Sequence, residues 1–161
     1  DSERVRFLAL LKLIVSRAKR IDKINGKMLV GFAAWDAYLD MLENEDLSRL
    51  SNDEVGDILG QYCDGLCQIW GRNSGLAYYR SVSGRFPEWK TELETAAAAL
   101  DACANYGGFL WSQGIGWVGD GLEKFRSKYG RKILADEGRR AMQKDREAVE
   151  QFEKILEKEN W

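Results

Sequence analysis

Leu50-Ser51-Asn52-Asp53-Glu54-Val55-Gly56-Asp57-Ile58-Leu59-Gly60-Gln61-Tyr62-Cys63-Asp64-Gly65-Leu66-Cys67-Gln68-Ile69-Trp70 decides the fold class of this chain. Ser51 and Glu54 stand three apart, the spacing at which a hydroxyl accepts from a backbone N–H and the Glu carboxylate reaches back. Leu50 and Val55 flank that box as a hydrophobic staple. Beyond it, Val55, Ile58, Leu59, Tyr62, Leu66 and Ile69 recur at three- and four-residue intervals, the period of a helix with one buried face. The stretch predicts a helix from Asn52 to Trp70.

Toward the N-terminus the same period continues. Leu29, Phe32, Ala33, Trp35, Leu39 and Leu42 predict a helix from Met28 to about Glu43. Phe7, Leu8, Leu11, Ile14, Val15, Ala18 and Ile21 predict another from Ser2 to Ile24, ended by Asn25-Gly26. Leu10 and Leu13 widen its stripe, which implies burial on more than one side.

Toward the C-terminus, Gly71–Gly75 reads as a turn, followed by a short helical or irregular piece through Tyr78, Tyr79 and Val82. Pro87 suits the first position of a helix that runs to about Tyr106 and contains Ala96–Ala99, a thin face that admits a close neighbour. Residues 105–121 hold six glycines and four aromatic residues, and predict a helix-breaking hairpin, in the core or at the lip of a groove. A helix over Asp120–Tyr129, a break at Gly130 and a last helix from about Lys132 to Glu159 complete the chain. Asp136/Arg140 and Glu150/Lys154 support that last helix at i, i+4. Its narrow stripe of Leu134, Ala141, Met142, Val149, Phe152 and Leu156 places it at the surface with one edge packed, or against a second copy in a homodimer.

One proline in 161 residues and no alternating β-branched runs leave one architecture: all-α, a single domain over 1–161, a bundle of six to seven helices. The longest apolar run, 96–118, is interrupted by Asp101, Asn105, Ser112 and Gln113, so no membrane span is expected. The first residues hold acids and no cleavage-site pattern, so no signal peptide is expected.

Histidine is absent, which removes Ser-His and Cys-His nucleophile systems in their ordinary form and the commonest metal ligand. Cys63, Cys67 and Cys103 are too few for a four-ligand zinc site and read as buried free thiols. They point to a cytoplasmic or other intracellular compartment, with a mature secreted form also compatible. Gly114-Ile-Gly116-Trp-Val-Gly119 matches a dinucleotide-binding fingerprint by letter but follows a helical segment rather than a strand. Asp36, Asp40 and Glu43 share one helix face, which reads as a solvated outer surface. No catalytic residue, metal or cofactor is assigned, and the pattern leans away from catalysis.

Candidate binding residues lie in the glycine-aromatic stretch. Trp35 and Trp70 fall on core stripes, whereas Trp111 and Trp117, with Phe109, Gly116 and Arg72, are the candidates for recognition of another protein. Charge is also segregated. Residues 1–27 carry eight Lys/Arg against three acids, and residues 36–64 carry nine acids against Arg49. The basic set Arg4, Arg6, Lys12, Arg17, Lys19, Arg20 and Lys23 suits nucleic acid or an anionic membrane surface, unless it neutralises acids within the fold.

Trp70-Gly71-Arg72, preceded by Asp64-Gly65, resembles the first homology motif of Bcl-type apoptosis regulators. Trp111-Ser112-Gln113, Gly116-Trp117 and Phe125 resemble the second. The resemblance covers some twenty-five residues and implies a helical bundle whose groove, near Gly71, Arg72, Trp111 and Trp117, takes an amphipathic helix. Residues 73–87 depart from that family, which continues there into a strongly hydrophobic helix. The leading expectation is a non-catalytic protein-binding module of the inhibitor, immunity, adaptor or accessory-subunit type. The alternatives are that Bcl-like groove, a nucleic-acid binder, and a carboxylate-based enzyme or small-ligand protein.

Overall fold

The computed structural model describes residues 2–112 and 120–161, apart from the side chains at 66, 68 and 110–112. Among these residues lie seven α-helices: α1 Ser2–Ala18, α2 Gly31–Asn44, α3 Asn52–Trp70, α4 Leu76–Arg85, α5 Lys90–Ser112, α6 Gly121–Arg126 and α7 Lys128–Lys158. Two 3-10 turns, Gly71–Gly75 and Pro87–Trp89, lead into α4 and α5. The all-α bundle expected from periodicity is the observed architecture.

Helix α3 begins where its capping box places it. Ser51 N donates to Glu54 Oε2 at 2.7 Å and Glu54 N donates to Ser51 Oγ at 3.3 Å. Val55 is fully buried and Leu50 partly so, in the same cluster. Helix α1 stops six residues earlier than its apolar pattern suggests. The reason is Gly31, at φ +59°, whose backbone lies against the last carbonyls of α1. A Cβ there would stand 2.3 Å from the Ala18 oxygen. Asn25 and Gly26, at φ +53° and +68°, turn a loop closed by the Ile24–Met28 bridge rather than capping α1.

The break expected at Gly130 falls at Ser127 instead. Ser127 is the N-cap of α7, its hydroxyl accepting from Gly130 N at 3.1 Å. Gly130 is required for approach, not for a break: a Cβ would meet the Lys124 carbonyl oxygen at 2.1 Å. Helix α5 likewise runs through Tyr106 to Ser112, so the front of the expected hairpin is helical. The remainder, 113–119, lies outside the described residues.

α5 and α7 form the central antiparallel pair. One core cluster joins Trp35, Leu39, Tyr62, Cys103, Tyr106, Phe125 and Leu134. The other joins Phe7, Leu11, Val82, Trp89, Leu93, Ala96, Phe152 and Ile155. Ala96, Ala97 and Ala99 are buried, and α7 offers Ala141 and Ala148 across from the alanine-rich helix, so small faces let these two axes pack closely. α7 is therefore the spine of the bundle, not a surface helix. Its stripe is covered by α1, α2, α5 and α6 of the same chain.

Candidate functional site

The C-terminal ends of α3 and α5 and the intervening 3-10 turn meet at one end of the first cluster. Trp70, the last residue of α3, sits at a core-stripe position yet is 50% exposed. Its neighbour on α5 is Gly107, where a Cβ would come within 3.0 Å of the Trp70 Cβ. The helices approach closely here because position 107 has no side chain, and half of the Trp70 surface stays open to solvent. Phe109, half-buried, packs against the same cluster two residues further on. The expectation that Trp70 is a core residue is thus corrected. The signal available in the sequence was position: Trp70 ends its helix immediately before a glycine.

Arg72 is anchored beneath this edge. Its guanidinium lies 3.3 Å from each carboxylate oxygen of Asp145, which is 6% exposed. Trp35 Nε1 donates to Asp145 Oδ2 at 3.1 Å. A buried carboxylate is tolerated when donors surround it, and an indole and a guanidinium do so here. Burial pushes the nearby Cys103 thiol up to about 12, with the Asp145 charge adding and Arg72 opposing.

Three tyrosines fill the floor. Tyr38 and Tyr62 stack with ring centroids 4.5 Å apart, the Tyr38 and Tyr106 hydroxyls lie 3.1 Å apart, and Tyr106 donates to the Leu134 carbonyl at 2.9 Å. The Tyr62 hydroxyl finds no partner among the described residues. Burial raises all three phenols, Tyr106 to about 12. At neutral pH the phenols and the Cys103 thiol keep their protons, and Asp145 is fully engaged. The phenols form a buried polar cluster that joins α2, α3, α5 and α7 within the first core.

Of the other predicted residues, Trp111 falls in the last turn of α5 with its side chain outside the described part, and Gly116 and Trp117 lie outside the described residues, as does the rest of the GxGxxG match. The acids of α2 do not converge. Asp36 approaches Arg146 at 3.9 Å, Asp40 accepts from Asn44, and Glu43 pairs with Arg139. No group of three metal-ligating side chains forms among the described residues. Cys63 and Cys103 are buried, but Cys67 is exposed, contrary to the expectation for it.

The basic set of α1 is divided by the fold. Arg4 grips Glu159 at 2.5 Å and Glu88 at 2.6 Å, and lies over the Trp89 ring. Lys19 pairs with Glu153, and Arg20 with Asp22 at 2.8 Å. Arg6 donates to the Ser2 carbonyl, and Lys12 stands over Trp161. Arg17 and Lys23 make no ion pair among the described residues. Neutralisation within the fold thus takes part of this set and leaves part outward.

No helix among the described residues is long and apolar enough to cross a membrane. No protein-family model matches this chain, and no curated protein or solved structure does. The likeness to Bcl-type regulators therefore rests on the quoted residues alone.

Proposed function

We propose that this chain is a non-catalytic helical protein-binding module whose contact surface is the aromatic edge around Trp70. Phe109 and Arg72 border that edge, and Trp111, Gly116 and Trp117 continue it in sequence. The observation that supports the reading is the half-exposed indole of Trp70, whose base packs closely against Gly107 of α5. A rigidly based Trp offers a partner large contact area with little ordering cost, which is why Trp is enriched among energetically dominant interface residues.

The test is capture from nuclease-treated extract on immobilised chain, with mass spectrometry, then calorimetry on the purified partner. One stoichiometric protein should be retained, and Trp70→Ala should weaken it tenfold or more while unfolding remains cooperative. Trp117→Ala should act in the same direction. A partner held equally by both variants would remove this edge from the interaction, and an empty bait would remove the module reading.

A further inference from the structure

The side of α1 turned away from the core, with the loop after it, forms a second surface unrelated to Trp70. Arg6, Leu10, Leu13 and Arg17 follow at intervals of four, three and four, so they make one ridge opposite Phe7, Leu8 and Leu11. Leu13 is 55% exposed, Ile21 86% and Met28 54%. Leu13 and Ile21 share a shallow groove with Arg17, Lys19 and Arg20. The hydrogen bonds between Ile24 and Met28, at 2.8 and 3.1 Å, fold Lys23 and Lys27 into the same projecting loop. Asp22 is the one acid between residues 4 and 30, and Arg20 already holds it. Arg17, Lys23 and Lys27 have no ion-pair partner among the described residues.

We propose that this face is a peripheral contact for an anionic lipid surface. Leu13, Ile21 and Met28 enter the boundary between headgroups and acyl chains, and Arg17, Lys23 and Lys27 meet the headgroup phosphates and carboxylates. Charge complementarity selects an anionic occupant. The placement of the apolar groups selects lipid over the other anions. A protein interface of ordinary size buries about 800 Å² per partner around a core depleted of lysine. Here each exposed apolar side chain has a cation beside it, and the most exposed one stands in a projecting loop. Nucleic acid would engage the cations and leave Ile21 and Leu13 without a role. Lipid uses both, because Lys and Arg stems lie along apolar surface while their charges stay in the headgroup layer.

Co-sedimentation with vesicles tests this on the whole chain, using phosphatidylcholine alone and a seven-to-three mixture with phosphatidylserine. The chain should partition onto the mixed vesicles and not the neutral ones, and salt should weaken binding. Arg17→Gln and Lys23→Gln should each reduce partitioning about fivefold. Ile21→Ser, at a position too exposed to affect folding, should reduce it about tenfold, and more when combined with Leu13→Ser. Failure to bind the mixed vesicles would overturn the proposal. So would an Ile21→Ser, Leu13→Ser variant that binds like the parent, because the surface would then be a general polyanion site open equally to nucleic acid.

Discussion

Arg131 shows how much one residue can organise without touching a carboxylate. Its side chain is buried, and its guanidinium donates to the carbonyls of Leu42 at 3.1 Å, Glu45 at 2.6 Å, Phe125 at 3.0 Å and Arg126 at 2.7 Å. These carbonyls end α2 and α6, where helix oxygens lack intrahelical partners and carry partial negative charge. Burial lowers the Arg131 pKa, and the nearby Asp46 and Glu45 charges act against it. Arg131→Met leaves several buried oxygens without donors, and each unmet group costs about 1–3 kcal/mol. We expect a loss of about 3 kcal/mol or more in urea unfolding, with Arg131→Lys intermediate because an ammonium has three donors and no planar fork. An unchanged midpoint for Arg131→Met would show that water replaces the guanidinium. Little in the sequence marked this residue: the pattern placed position 131 before the last helix, since its four acceptors come from two other elements. Gly31 was hidden for the same reason, its φ of +59° being set by contact with the end of α1.

Helix ends divide by where their cause lies. The start of α3 was legible because Ser51 and Glu54 are three residues apart and satisfy each other locally. The end of α1 and the start of α7 were not, because the first depends on a contact distant in sequence and the second on a cap three residues before a glycine. Ser127 caps α7 three residues before Gly130, whose small size admits the Lys124 carbonyl. The stripe of α7 was legible as a stripe, but a pattern cannot say how many neighbours share it, and four helices do. At the candidate site, Arg72 and Phe109 are candidates from motif and composition, and the fold sets Arg72 on Asp145 and Phe109 against the first core cluster. Helical phase alone places Trp70 on the core stripe, but it carries no information about what faces a terminal residue, and Trp70 is half exposed. The local box yields a sharp expectation. Ser51→Ala should cost about 1 kcal/mol of stability, and adding Glu54→Ala should cost about 0.5–1 kcal/mol more, because the backbone N–H of residue 51 still reaches the Glu54 carboxylate in the single variant. Chemical denaturation of the single and double variants checks it; a double variant no less stable than Ser51→Ala would show that the Glu54 carboxylate is held by the Ser51 side chain alone.

Across the whole molecule, charges separated in sequence meet along α7. Arg4 of α1 is held by Glu159 beyond its end, Lys158 pairs with Glu92 of α5 at 2.6 Å, and Arg139 and Arg146 take Glu43 and Asp36 of α2. The acids of these ties titrate low. Glu159 is lowered chiefly by its hydrogen bond from Arg4, Glu92 by Lys158, and Glu88 by a backbone N–H and then Arg4. A folded pKa below the unfolded one means that the unfolded chain binds more protons as pH falls, so the stabilisation is present above about pH 4.5 and is lost below it. The tyrosine floor has the opposite sign. Tyr38, Tyr62 and Tyr106 are raised, chiefly by burial, so their contribution is present below about pH 10 and is lost as pH climbs toward their folded values. With no histidine in the chain, no side chain of ordinary pKa titrates between the carboxylates and the thiols, and Cys63 and Cys103, raised by burial, add to the alkaline limb. Urea midpoints should therefore be level from about pH 5.5 to 8 and fall on both sides. Arg4→Gln should flatten the acid limb and leave the alkaline limb in place, whereas Tyr38→Phe should reduce the alkaline limb alone. An acid limb unaltered by Arg4→Gln would show that the ties at the end of α7 do not govern acid unfolding.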